Sequence, residues 1–161
     1  MGHQIAIVRA GAVARYSGAH LVWAGMDVTC IDPWPEHVER MRKHALWVSR
    51  ATDVAEFSAT VRALHVTDVQ QSVKQTAVDI ALVCMKSYDT TSATTMIQQG
   101  LALEGDVVLL QNCMNEGTIA SIVGCGKTVG CTVSSISVNL PEPGRMHRGE
   151  STLCVSRGSC G

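Results

Sequence analysis

Residues 5–18 read IAIVRAGAVARYSG, an apolar run that meets a small-residue turn and then a stretch with helical spacing. A strand–turn–helix unit of this kind is where a dinucleotide-binding fold carries G-x-G-x-x-G. Aligned on Gly11, the three glycine positions hold Arg9, Gly11 and Ala14, so one glycine of three is present. The first glycine permits the tight turn, the second lets backbone approach a pyrophosphate, and the third lets helix pack on strand. Gly11 keeps the position that admits the ligand, and Ala14 is a replacement the fingerprint tolerates. Arg9 is the serious departure. A side chain there either crowds a cofactor or places a cation beside its phosphates. If the turn needs an unusual backbone angle, the strain is roughly 1–3 kcal/mol. The helix that follows would offer the N–H groups of its first turn, at Ala12 and Val13, to phosphate.

Asp32 bears on the same question. It ends a second strand-like run (27–31), about 20 residues beyond Gly11, where the fingerprint places an acid on the ribose hydroxyls. An acid there favours NAD, because it repels a 2′-phosphate. The same residue could simply cap the helix that begins near Pro35, and the two roles are compatible.

The pattern continues along the chain. Val38, Met41 and Ala45 share one helical face, whereas 46–65 mixes strand-like pieces with polar breaks and reads as an extended or hairpin insertion. VDIALVCM (78–85) and DVVLLQ (106–111) read as buried strands, with a helix from Thr90 to Leu103 between them. A short helix over 116–124 and a strand over 127–133 follow. Short strands around the turn PEPG occupy about 134–156, before a loose tail, RGSCG. Strand–helix alternation with near-continuous apolar strands predicts an α/β, Rossmann-type doubly wound fold: a mostly parallel sheet with helices on both faces. No linker, repeat or boundary divides residues 1–161, which read as a single dinucleotide-binding domain.

Composition narrows the function classes. The 161 residues are 46% hydrophobic and carry a net charge of −1, which fits one domain with a sizeable core and no basic face for nucleic acid. At 4% aromatic there is little to stack bases on. No signal peptide or membrane-length apolar run is read, so the expectation is a soluble, cytoplasmic protein. Seven cysteines form no C-x-x-C pair and read as buried, reduced thiols rather than metal ligands, so no metal site is expected.

Two further stretches belong to the carboxyl edge of the sheet, where open α/β folds bind ligands. In VCMKSYDT, Lys86 directly follows a buried strand and could meet phosphate or ribose, or stand free in solvent. In LLQNCMNEGTIASIVG, Gln111 and Asn112 end a strand. An amide there could bond a nicotinamide ribose or a substrate carboxylate, or satisfy a local turn. Asp89, Thr90, Asn115 and Glu116 read as helix starts, His20 and His37 as helix-surface residues, and Trp23, Trp34 and Trp47 as packing residues. GCGKT (124–128) lacks P-loop spacing and precedes a strand.

Taken in order and spacing, IAIVRAGAVARYSGAHLVWAGMDVTCIDPWPEHVERMRKHAL, VCMKSYDT, LLQNCMNEGTIASIVG and TVGCTVSSISVNLPEPGRMHRGE resemble the N-terminal domain of the ketopantoate reductase (2-dehydropantoate 2-reductase) family. The resemblance covers most of the chain. It implies hydride transfer from NADPH to a 2-keto acid, a step in pantothenate biosynthesis. By position, Gly11 would face the pyrophosphate, Lys86 would contact the cofactor, and Asn112 would lie between nicotinamide ribose and substrate. Arg9 and Ala14 replace family glycines, and Asp32 stands where an NADP-selective member would want a cation, so NADP and NAD both stay open. The family's catalytic lysine and a substrate-binding glutamate lie in a helical C-terminal domain that is expected to be absent here. No lysine follows Lys127, and no catalytic residue is assigned. The expected function is the NAD(P)-binding domain of an oxidoreductase. The alternative is a non-enzymatic remnant or interaction module with an impaired cofactor loop. Missing helices would leave apolar surface exposed, so self-association is expected.

Overall fold

A computed structural model describes residues 3–9, 11–50, 56–73, 76–111, 114–134, 137–142, 145–149 and 154–159. Six parallel strands form the centre of a seven-stranded sheet: β1 (Gln4–Val8), β2 (Asp27–Asp32), β5 (Arg62–His65), β6 (Val78–Val83), β7 (Leu101–Leu109) and β8 (Thr128–Ser134). Their order is β5-β2-β1-β6-β7-β8, and β11 (Cys154–Ser159) adds antiparallel at the β8 edge. The order reverses between β1 and β6. From β1 the chain steps outward through β2 to β5, then returns to the other side of β1 to begin the second half. Open α/β sheets bind ligands at this reversal, outside the carboxyl ends of the strands.

The apolar runs are continuous because both faces of the central strands are covered. Along β1, Ile5 and Ile7 enter one core with Val28, Cys30 and Leu82, while Ala6 and Val8 enter the other with Ile31, Ala81, Val83 and Val107. The first core is closed by α1 (Ala12–Trp23) and α2 (Pro35–His44), the second by α3 (Val69–Val73), α4 (Thr90–Gln98) and α5 (Glu116–Val123). A second sheet, in the order β4-β3-β10-β9, lies over α1: β3 (Leu46–Arg50), β4 (Phe57–Ala59), β9 (Val138–Glu142) and β10 (Arg145–Arg148). Leu46, Val48, Ala59 and Met146 from this sheet share the first core with Ala14, Tyr16 and Ala19, so α1 is sandwiched between two sheets.

Glycine and alanine explain how α1 sits so close. At the third fingerprint position Ala14 is fully buried. The tighter approach comes one turn later, at Gly18, where a Cβ would lie 2.6 Å from Ile7 Cδ1. The chain then leaves α1 through Gly25 in the left-handed region (φ 84), a backbone that glycine adopts without a side-chain clash.

Several expectations need revision. The 46–65 segment does contain a hairpin, β3 with β4, but β5 leaves it to join the main sheet beside β2. The α4 helix ends at Gln98, and β7 starts as early as Leu101, so the expected helix to Leu103 is too long. Ala45 lies beyond α2 with φ 61 rather than on its buried face. Within the tail expected to be loose, residues 157–159 belong to β11 and pair with Cys131, Gly130 and Val129. In PEPG, Pro143 and Gly144 lie outside the described residues. Cys30 is buried, Cys84 and Cys131 are partly so, and Cys125 is exposed; these four are free thiols. Burial pushes the Cys30 thiol up to about 12. Among the described residues, no helix is long and apolar enough to cross a membrane.

Candidate functional site

The strand-order reversal opens into a cleft of about 690 Å³. Its walls are the β1–α1 turn, the end of β2 with the start of α2, and the segment after β6, with Leu140 of β9 contributed by the second sheet.

Gly11 is the N-cap of α1 in extended backbone (φ −63, ψ −178). A Cβ there would meet only Cys84 O, at 3.7 Å, an ordinary contact. Neither backbone angle nor the protein's own packing demands glycine; the space it leaves belongs to the cleft. The first bond inside α1 runs from Arg15 N–H to Gly11 O (3.0 Å), so the N–H groups of Ala12, Val13 and Ala14 precede the helical ladder. No side chain caps this terminus and no acid sits in its first turn, which leaves its positive end open towards the cleft that Ala12 and Val13 line.

Arg9 does adopt the left-handed backbone that glycine would take without cost (φ 53). Its N–H donates to Ile31 O (2.8 Å) and its carbonyl accepts from Gly11 N–H (2.8 Å), so the turn is held on both sides. The guanidinium crosses the crevice to form an ion pair with Asp89, in the loop after β6. Asp89 therefore starts α4 without capping it through its side chain. Lys86, between β6 and that loop, is exposed and lines the same cleft.

Asp32 ends β2 and is 5% exposed. Its Oδ1 accepts the Trp34 N–H (2.9 Å), the local turn that the sequence allows before α2. Its Oδ2 accepts from Nη2 of Arg15 (2.8 Å), a residue of α1 that is itself buried. The same Nη2 also contacts Nδ1 of His37. A guanidinium only donates, so Nδ1 is the acceptor and the His37 proton sits on Nε2. Burial first, and then the Arg15 charge, hold the His37 pKa below its ordinary value. Trp34, half exposed at the rim, stacks on the imidazole with centroids 3.9 Å apart.

Arg15 is the cleft residue that sequence reasoning passed over. The available signal was an arginine at the first position after the third fingerprint residue, on a helical face otherwise made of Ala14, Gly18 and Ala19. His37 was misplaced too: it is half-buried against Arg15 rather than lying on a helix surface, and His20 packs against Tyr16 and Phe57. Trp23, Trp34 and Trp47 are exposed, not core. Gln111 is occupied structurally, its Nε2 donating to Met85 O (2.7 Å) and Thr90 Oγ1 (3.0 Å). Asn115, the N-cap position of α5, donates to Ser87 Oγ (3.0 Å). Asn112 lies outside the described residues. Among the described residues, no three His, Cys, Asp or Glu side chains gather as a metal site would require.

The sheet order, the open α1 terminus and the cleft at the reversal define a Rossmann-type α/β domain. A family model described as ketopantoate reductase PanE/ApbA matches residues 5–158. The chain belongs to that family, as its sequence motifs indicate. Among solved structures, it is similar to 2-dehydropantoate 2-reductase from Geobacter metallireducens GS-15, at 26% identity and a TM-score of 0.81 over 97% of this chain and 49% of that one. It is also similar to a PanE/ApbA family ketopantoate reductase from Ralstonia eutropha JMP134, at 28% identity and a TM-score of 0.78 over 90% and 46%. D-mandelate dehydrogenase with NADH and anilino(oxo)acetate shares the fold, at 24% identity and a TM-score of 0.80 over 94% and 47%. The chain thus spans about half the length of these solved chains. No curated protein matches the sequence.

Proposed function

We propose that this chain is the nicotinamide-dinucleotide-binding domain of a reductase acting on a 2-keto acid. The observation that carries the reading is the uncapped, acid-free N-terminus of α1, which opens on the cleft at the strand-order reversal. The pyrophosphate would lie over Gly11 and receive the N–H groups of Ala12 and Val13, in the field of the helix end. Arg9 and Lys86 supply cationic groups on either side, and the end of β2 takes the adenosine ribose. When bound, the dihydronicotinamide supplies the hydride. Asn112, just past β7, is assigned to the nicotinamide ribose and the substrate. The D-mandelate dehydrogenase structure holds NADH and a 2-oxo acid analogue, which favours this substrate class.

Reducing a carbonyl also needs a proton donor at the oxygen. We assign none within these residues, and catalysis is proposed to depend on a helical complement such as the family's second half. The domain itself is tested by binding. A ligand at a hundredfold excess over its Kd stabilises the folded state by about 2.7 kcal/mol. NADH or NADPH at millimolar concentration should therefore raise the melting temperature by several degrees. No shift with either would overturn the reading.

A further inference from the structure

The segment after β6 is tied to three others. Ser87–Asp89 forms a single 3-10 turn, closed by the Asp89 N–H donating to Lys86 O (3.0 Å). Asp89 pairs with Arg9 across the crevice. Ser87 Oγ accepts from Asn115 Nδ2 (3.0 Å) at the start of α5. Thr90, the next residue, is buried, and its Oγ1 accepts from Gln111 Nε2 (3.0 Å) just past β7. The turn therefore joins the β1–α1 loop to the segment that follows β7.

Of these ties, the Arg9–Asp89 pair is one that a ligand can displace. Solvent reaches both of its side chains, and both line the cleft. Each partner also has a second role that the pair prevents. The guanidinium could face an anion at the open α1 terminus. The carboxylate could cap α4, whose N-cap residue is Asp89 and which has no side-chain cap. An N-cap residue takes extended backbone, whereas Asp89 is helical here (φ −100, ψ −4), so capping would require the Ser87–Asp89 turn to rearrange.

We propose that the Arg9–Asp89 pair is a latch, closed in the empty protein, which an anion at the α1 terminus opens. The anion takes the guanidinium, Asp89 turns to the first N–H groups of α4, and the Ser87–Asp89 turn rearranges with it. Because that turn holds Asn115 and adjoins the Thr90–Gln111 bond, occupancy of one part of the cleft is transmitted to the segment after β7. The latched and unlatched turns are the two states. The ligand favours the second, since only there is Arg9 free to meet it.

The proposal rests on the reading that the α1 terminus receives phosphate, and the experiment separates the two. The full chain, isotopically labelled for amide NMR, is titrated with inorganic pyrophosphate and with ADP, neither of which carries a nicotinamide. The backbone amides of Gly11, Ala12 and Val13 report the α1 terminus, and the side-chain amides of Gln111 and Asn115 report the remote segment. In wild type both sets should move with the same midpoint. Asp89→Asn and Arg9→Gln open the latch from opposite sides, and a dispersed spectrum shows that each variant is folded. In both free variants the Gln111 and Asn115 signals should already lie more than half of the way to their positions in ligand-bound wild type. The ligands should then move them less than half as far as in wild type. Remote signals that stay still while the α1 amides move overturn the latch and leave the phosphate reading intact. So do remote signals in the free variants that coincide with free wild type or move away from the bound position. If neither pyrophosphate nor ADP moves the α1 amides, the phosphate reading falls and the latch with it.

Discussion

Replacing Asp89 with Asn should tighten dinucleotide binding while slightly weakening the fold. Asp89 holds Arg9 across the mouth of the crevice, and the two side chains are 20% and 35% exposed. A pair that solvent reaches to this extent contributes about 0.5–1 kcal/mol. A pyrophosphate arriving at the α1 terminus competes with Asp89 for the same guanidinium. Removing the competing carboxylate returns up to that energy as affinity, roughly two- to fivefold, since 1.4 kcal/mol is a factor of ten. The melting temperature of the free protein should fall by a few degrees at most, so the two readouts move in opposite directions. Titrating NADPH and NADH at low salt and again near 1 M tests the origin of the gain. With a Debye length of about 3 Å at the higher salt, the advantage over wild type should shrink. Arg9→Gly completes the test. Relief of the left-handed backbone, about 1 kcal/mol, offsets the lost ion pair, so stability should change little. Binding should weaken, because the cation is gone and Asp89 remains. Unchanged or weaker binding in Asp89→Asn would refute the reasoning, and tighter binding in Arg9→Gly would show that the arginine obstructs the site.

Two other outcomes follow from the packing and the charges. Gly18→Ala forces a methyl against Ile7 Cδ1 inside the first core and should cost roughly 1–3 kcal/mol in urea unfolding; a neutral effect would show that Ile7 can move aside at little cost. His37 faces Arg15, Asp32 and Glu36, and its pKa lies below 6.5 in the folded state. Its contribution to stability is therefore full above pH 6.5 and is lost as pH falls through the folded value. The drop in unfolding free energy between pH 7.5 and 5.5 should be smaller in His37→Gln than in wild type, and an equal drop would exclude His37 as the source.

The elements legible in the sequence were those buried on both faces. IAIV, VDIALV and VVLL announce central parallel strands, because a strand covered on both sides has no polar period to keep. Gly25 and Gly124 mark helix ends, and both take positive φ. Elements with one wet face were harder. β5 carries Arg62 and His65 around two apolar residues and gave no sign that it would join the main sheet rather than the hairpin before it. β11, with Ser156, Arg157 and Gly158, is an edge strand whose place comes from pairing with β8, not from its own composition.

The candidate site divides in the same way. Arg9, Gly11, Ala12, Val13, Asp32 and Lys86 were named from their positions in motifs, and the fold brings them to one cleft, because a strand-order reversal places the ends of β1, β2 and β6 together. What each side chain does there depends on partners distant in the chain. Arg9 meets Asp89 eighty residues away, and Asp32 meets Arg15 from a different element. The sequence by itself determined the fold class and the edge of the sheet where a ligand belongs, since those follow from local periodicity and spacing, and the resemblance of its motifs pointed to the family. Only the tertiary structure decided the charge that a ligand would meet, because the field at Asp32 is set by a buried arginine whose approach no local pattern encodes.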